Sequence, residues 1–135
     1  MYLLDTNVVS ELRRPKPHGA VLAWARATDE RLIAVSAVTI GEIQRGIETT
    51  REQDGERART IETWLGQMMD STSVLPLDGP CMIAWAKPMH RQAPHLIVDA
   101  MIAATAIVHG LTVVTRNVGD FEHFPVAVLN PFEFR

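Results

Sequence analysis

Apolar residues along this chain recur in short blocks whose period alternates between that of strands and that of helices. Tyr2 to Leu4 is a brief apolar run stopped by the polar turn Asp5-Thr6-Asn7, after which Val8, Val9 and Leu12 resume at helical spacing. A basic loop, Arg13-Arg14-Pro15-Lys16-Pro17, breaks that helix, and Val21, Leu22, Trp24 and Ala25 fit a second short one. Leu32 to Ala37 reads as the second strand, and Thr39 as the start of a helix with Ile40, Ile43 and Ile47 on one face. After the polar stretch Arg51 to Arg57, Ala58, Ile61, Leu65 and Met68 mark another helix, so the pair reads as a helical hairpin. Val74 to Leu77 makes a third strand, and Asp78 beside Gly79-Pro80 opens a helical stretch over 81–92 that Pro88 kinks or stops. Leu96 to His109 is an apolar helix closed by Gly110, followed by strands at Leu111 to Thr115 and Val126 to Leu129. Strands alternating with helices predict a parallel sheet covered on both faces, a three-layer α/β/α sandwich. No internal repeat or linker interrupts the pattern, so residues 1–135 are expected to form a single domain.

Composition narrows the class. A chain of 135 residues, 47% hydrophobic and 21% charged, can bury a core without disulfides or structural metal. The single Cys81 has no internal partner, the N-terminus lacks the pattern of a signal peptide, and no run reaches the ~20 apolar residues of a membrane span. A cytoplasmic protein without membrane insertion is the expectation. Net charge is −3, which argues against a protein that grips nucleic acid by charge alone and less against an enzyme whose acids are clustered.

Four acids stand out from that background. Asp5 ends the first apolar strand, and Asp99 sits inside Leu96-Ile97-Val98-Asp99-Ala100-Met101-Ile102-Ala103-Ala104, with no other charged residue before His109. A carboxylate amid apolar surface is costly unless a cation, a hydrogen-bond network or a metal compensates it. Glu42 and Asp120 join them. In open parallel sheets, functional groups gather beyond the carboxyl ends of the strands. Asp5, the Thr115-Arg116-Asn117 turn with Asp120 beyond it, and the first turns of the helices carrying Glu42 and Asp99 all map to that edge. Convergence of four acids suits Mg²⁺, which takes carboxylate and water oxygens, and metal-assisted phosphodiester hydrolysis is the chemistry such a cluster serves.

Each acid also has an ordinary reading. Asp5 can cap the following helix, and Thr39-Ile40-Gly41-Glu42 has the spacing of a capping box. Asp99 gains from a helix N-terminus, and Asp120 fits a polar turn. The five histidines show no metal-ligand spacing, and Cys81 has no partners that would make it a nucleophile.

The motifs Asp5-Thr6-Asn7, Thr39-Ile40-Gly41-Glu42, Asp99-Ala100-Met101-Ile102-Ala103-Ala104 and Thr115-Arg116-Asn117 through Asp120-Phe121 resemble the PIN-domain ribonucleases of toxin–antitoxin modules, the VapC toxins. The resemblance spans nearly the whole chain. It implies a compact α/β/α fold, an endoribonuclease dependent on Mg²⁺ or Mn²⁺, a homodimer, and neutralisation by a cognate antitoxin protein. Carried over residue by residue, Asp5, Glu42 and Asp99 fall on the family's metal-binding acids, with Asp120 rather than Asn117 in the fourth position. Thr6, Asn7, Thr115 and Asn117 are then supporting polar groups, and Arg13, Arg14 and Arg116 are candidates for RNA phosphate contact. The resemblance also implies an amphipathic antitoxin segment along the hairpin of residues 39–69. The competing readings are a DNA or flap-type nuclease on the same architecture, a phospho-acceptor receiver domain, and a non-catalytic protein-binding module. A receiver would need paired acids at the first strand's end and a late Lys, where this chain has a lone Asp5 and Arg116.

Overall fold

The computed structural model describes residues 1–135, and its frame is a five-stranded, wholly parallel sheet. In chain order the elements are β1 (Tyr2–Leu4), α1 (Thr6–Arg13), α2 (Gly19–Ala27), β2 (Ile33–Ser36), α3 (Ala37–Arg51), α4 (Gly55–Ser71), β3 (Ser73–Leu75), α5 (Gly79–Met89), α6 (Ile97–His109), β4 (Thr112–Val114), α7 (Val118–Phe121) and β5 (Val128–Leu129). Single 3₁₀ turns at Glu30–Leu32, Pro94–Leu96 and Pro131–Glu133 complete the path. The sheet runs β3-β2-β1-β4-β5. Because successive side chains in a strand point to opposite faces, one face carries Leu3, Ala34 and Val113 and the other Leu4, Val35 and Val114. The first set packs with Ala100, Ile102, Ala103 and Ala106 of α6 and with Phe121; the second packs with Val8, Val21, Ile43, Ile47, Ile61 and Leu65 of α1 to α4. Two cores flank one sheet, the three-layer sandwich that the alternation predicts.

The strands are shorter than their apolar runs. Leu32 belongs to a 3₁₀ turn and Ala37 is already the first residue of α3, so β2 keeps only four residues. The predicted helix start at Thr39 is corrected for the same reason: Ser36, at the strand's end, caps α3 by accepting from the Val38 amide at 3.1 Å. Thr39 is thus a fully buried residue in the first turn and Glu42 lies in the second, so the capping-box reading of the pair fails. Asp78 caps α5 through the Cys81 amide as expected, and that helix ends at Met89, one residue beyond Pro88. Gly110 closes α6 in the left-handed conformation, φ 66°, which accounts for a glycine there. The short helix α7, at Val118–Phe121, is absent from the apolar pattern: four residues are too few to display a period.

Candidate functional site

Strand order reverses direction between β1 and β4, and the crevice beyond the carboxyl ends of these two neighbours is where an open α/β sheet leaves room for a site. Asp5 follows β1 directly and Thr115 follows β4 directly. The Asp5 backbone amide donates to Val114 at 2.9 Å, which fastens the two strand ends together. The Asp5 carboxylate is 4% exposed and fully engaged. Its Oδ1 accepts from the Thr6 amide at 2.8 Å, the ordinary cap of α1. Its Oδ2 accepts from the Asn7 amide group at 3.0 Å and from the Thr115 hydroxyl at 2.8 Å. Capping and site membership coincide in this residue. Burial nonetheless raises its pKa, opposed by these hydrogen bonds and reinforced by the charge of Glu42.

Around Asp5 the supporting residues form a lattice. The Asn7 side chain lies 3.3 Å from the Thr115 hydroxyl as donor, and its Oδ1 accepts the Arg116 amide at 3.2 Å, which ties the turn after β4 to the start of α1. Thr115, fully buried, also accepts the Asn117 amide at 3.0 Å. On the other flank the Thr6 hydroxyl donates to Glu42 Oε1 at 2.6 Å, and its oxygen stands 3.1 Å from the Thr39 hydroxyl. A bond that short to an ionised acceptor is of the charge-assisted kind.

Asp99 occupies the first turn of α6, half-buried. Burial first, then the charges of Asp5, Asp120 and Glu42, push its pKa up to about 6, with His95 opposing. All four acids therefore share one electrostatic neighbourhood, although they come from the ends of β1, α3, α6 and α7. Not one of the four has a basic partner: the ion pairs of the chain join Arg14 to Glu11, Arg31 to Asp29, and Arg51 to Glu48 and Glu62. As the side chains stand, no three His, Cys, Asp or Glu close tightly enough around one point to clasp an ion.

The arginines separate. Arg14 pairs with Glu11 at 3.6 Å, and Arg116 lies over the Phe132 ring at 4.7 Å. Arg13 lines a recess that also reaches Thr6 and Glu42. Two residues near the site had no part in the sequence reading as functional groups. Thr39 has the spacing of a cap, yet its place three residues after the strand-ending Ser36 puts it inside the helix. His95 lies in the 3₁₀ turn just before α6, and its charge bears on Asp99 in the first turn of that helix. Cys81 is buried, and burial raises its thiol pKa, which disfavours the thiolate.

Comparison with known proteins meets this geometry. The family model described as PIN domain matches residues 2–126. This chain belongs to the PIN-domain family. Among PIN-domain relatives, the toxin FitB of Neisseria gonorrhoeae is 34% identical over 139 residues, covering 98% of this chain and 99% of that protein. VapC ribonuclease Y4jK of Sinorhizobium fredii is 34% identical over 140 residues, again covering 98% of this chain and 99% of its own length. The crystal structure of FitAcB from Neisseria gonorrhoeae superposes with a TM-score of 0.88 at 34% identity, covering 99% of this chain and 100% of that chain. The α/β/α layering expected from the resemblance is thus the architecture of this PIN domain and of a solved relative alike.

Proposed function

We propose that this chain is an endoribonuclease dependent on Mg²⁺ or Mn²⁺ and the toxin of a toxin–antitoxin pair. The observation that carries the reading is the shared electrostatic neighbourhood of Asp5, Glu42, Asp99 and Asp120, none of them in an ion pair, at the switch point of the sheet. Uncompensated carboxylates of this kind are retained where a cation is to be bound. The donor set is all oxygen, hard and anionic, which suits Mg²⁺ or Mn²⁺ over softer metals. Because the acids are not drawn into a tight cage, water would complete the coordination, as Mg²⁺ prefers. RNA as substrate and a toxin's role are supported by the names of the relatives, VapC ribonuclease and toxin FitB.

In this reading Asp5, Glu42, Asp99 and Asp120 hold the metal, with Thr115 and Asn117 as supporting polar groups. A divalent ion there supplies an acidified water and a polarised phosphate oxygen, the two requirements of phosphodiester hydrolysis. The chain's own residues do the rest. Thr6, Asn7 and Thr115 fix the Asp5 and Glu42 carboxylates in place, so little ordering remains to be done on binding. Asp99 holds a proton near pH 6 in the free protein and must release it to ligate a cation, so metal affinity rises with pH through that region.

The apolar recess of about 230 Å³ between α1 and α4, lined by Leu4, Val9, Leu12, Trp64 and Met68, supports docking of an amphipathic antitoxin segment on the α4 arm of the predicted hairpin. Exposed Ile83, Ile97 and Val98 on α5 and α6 support a homodimer. No helix is long and apolar enough to cross a membrane.

The test is cleavage of single-stranded and structured RNA, with single- and double-stranded DNA controls, by antitoxin-free protein in Mg²⁺, Mn²⁺ and EDTA, beside Asp99→Asn. RNA cleavage that requires metal and disappears in the variant is the expected result. Cleavage of DNA in preference to RNA would reassign the substrate, and cleavage that survives Asp99→Asn would overturn the site.

A further inference from the structure

Beside the acids, the molecule carries a second feature that the cleavage chemistry does not use. Thr6, Ser10 and Arg13 of α1 and Glu42, Gly46 and Thr50 of α3 line a recess of about 200 Å³. A second recess, about 460 Å³, shares Arg13 and Thr50 with the first and continues to Gln53 and Arg57 at the α3–α4 turn. Together they make one polar trough that begins at the Thr6–Glu42 hydrogen bond. Along α3 the trough spans the distance from Glu42 to Thr50, about 12 Å at the helical rise per residue, and continues into the turn at Gln53.

Three properties of this trough point to a ligand. First, both guanidiniums in it lack acid partners, because every ion pair of the chain uses Arg14, Arg31 or Arg51. Arg13 instead lies 5.9 Å from the centre of the Trp64 ring, a contact that orients a cation while leaving its N–H donors unspent. Secondly, the wall offers Ser10, Thr50 and Gln53, groups that donate to phosphate and sugar oxygens, beside the apolar Ile43, Ile47, Ile61 and Trp64. Thirdly, Gly46 stands in the interior of α3, where glycine is disfavoured, and no packing calls for it: a Cβ built there meets nothing within 4 Å. The absence of a side chain keeps the floor of the trough open. Asp54 also lines the far end, where its carboxylate is occupied in capping α4 through the Arg57 amide at 3.1 Å.

We infer that this trough is a binding track for single-stranded RNA, which seats the strand's phosphates on Arg13 and Arg57 and leads it to the acids at Glu42. The inference rests on the ribonuclease reading for the identity of the strand. Two guanidiniums free of ion pairs offer their donors to phosphates, although Glu42 and Asp54 balance the formal charge of the trough, and the trough's continuity with the acids places the flanking nucleotides of a substrate rather than a separate ligand.

The test measures binding of a fluorescent 20-nucleotide single-stranded RNA in EDTA over a series of salt concentrations, beside steady-state cleavage of the same RNA in Mn²⁺. The variants are Arg13→Ala with Arg57→Ala, Gly46→Leu as a plug that adds no charge, and Arg26→Ala with Arg59→Ala as an equal charge change outside the trough. Loss of two phosphate contacts is expected to weaken binding roughly tenfold and to lower the salt slope by about 1.4. Gly46→Leu is expected to weaken binding as strongly with an unchanged or higher melting temperature, since leucine suits a helix better than glycine. If both trough variants bind and cleave like the wild type, or if the Arg26/Arg59 control loses as much, the track is overturned while the ribonuclease reading stands. If the trough variants lose binding and the wild type cleaves no RNA in Mn²⁺, the track stands and the catalytic reading falls. If the wild type binds no RNA, the track is overturned.

Discussion

Asp99 concentrates the electrostatic cost of the site. Its pKa in the folded chain, about 6, lies above the 3.8 of a free aspartate because burial and three neighbouring carboxylates disfavour its charge. The sign follows from linkage: the folded state binds the proton more tightly, so ionised Asp99 destabilises the metal-free fold, and that penalty is relieved as pH falls from above 6 toward 4. Asp5, also raised, acts in the same direction. The melting temperature in EDTA is therefore expected to rise between pH 7.5 and 5, and Asp99→Asn should flatten the trend while raising the melting temperature at pH 7.5. A wild-type profile that falls over this range, unchanged in the variant, would contradict the assignment. A second residue-scale expectation concerns Thr6. Its hydroxyl is the one hydrogen-bond donor on Glu42, so Thr6→Val should weaken Mn²⁺ binding about tenfold whereas Thr6→Ser restores it, read by calorimetry. Equal affinities for the two variants would mean that Glu42 needs no such anchor.

At the scale of elements, the site depends on how the turn after β4 is held. Asn7 links it to α1 through the Arg116 amide, and Thr115 accepts the Asn117 amide, so two bonds set the path by which α7 brings Asp120 toward Asp99. Asn7→Ala is expected to speed hydrogen exchange at the Arg116 amide by at least tenfold and to cost about 1–2 kcal/mol of stability, given the burial of the network. Unchanged exchange at Arg116 would show the turn to be held by something else. Gly110, at φ 66°, is the matching case at a helix end: Gly110→Ala should cost about 1 kcal/mol by denaturant titration. These elements also explain what could be read in advance. The short apolar runs Leu3-Leu4 and Val113-Val114 mark strands buried on both faces, and the spaced apolar positions of α3 and α4 mark helices that bury one stripe. Helix starts were less legible where two capping signals compete: Ser36 and Thr39 both fit, and the choice falls to Ser36 because β2 ends there and the chain must turn at once. Helix α7 was hidden because its single buried apolar side chain, Phe121, displays no periodicity.

For the whole molecule, the sheet order explains why acids so far apart in sequence meet. With β1 at the centre and β2 and β4 on either side, the segments that follow these strands open onto one crevice, and α6 crosses beneath with Asp99 in its first turn. Four residues from positions 5 to 120 come to share one electrostatic neighbourhood. That convergence was legible from strand ends and helix starts; the lattice of Thr6, Asn7, Thr39 and Thr115 around it was not, because hydroxyl and amide partners depend on side-chain directions that periodicity does not encode. The central claim of the account is that this crevice is a divalent-metal site, and calorimetric titration of Mn²⁺ into wild-type protein and into Asp5→Asn with Asp99→Asn tests it most directly. The account expects saturable binding at pH 7.5, a matching rise in melting temperature, and loss of both in the double variant. Binding and thermal response that are absent from the wild type, or retained in the variant, would contradict it.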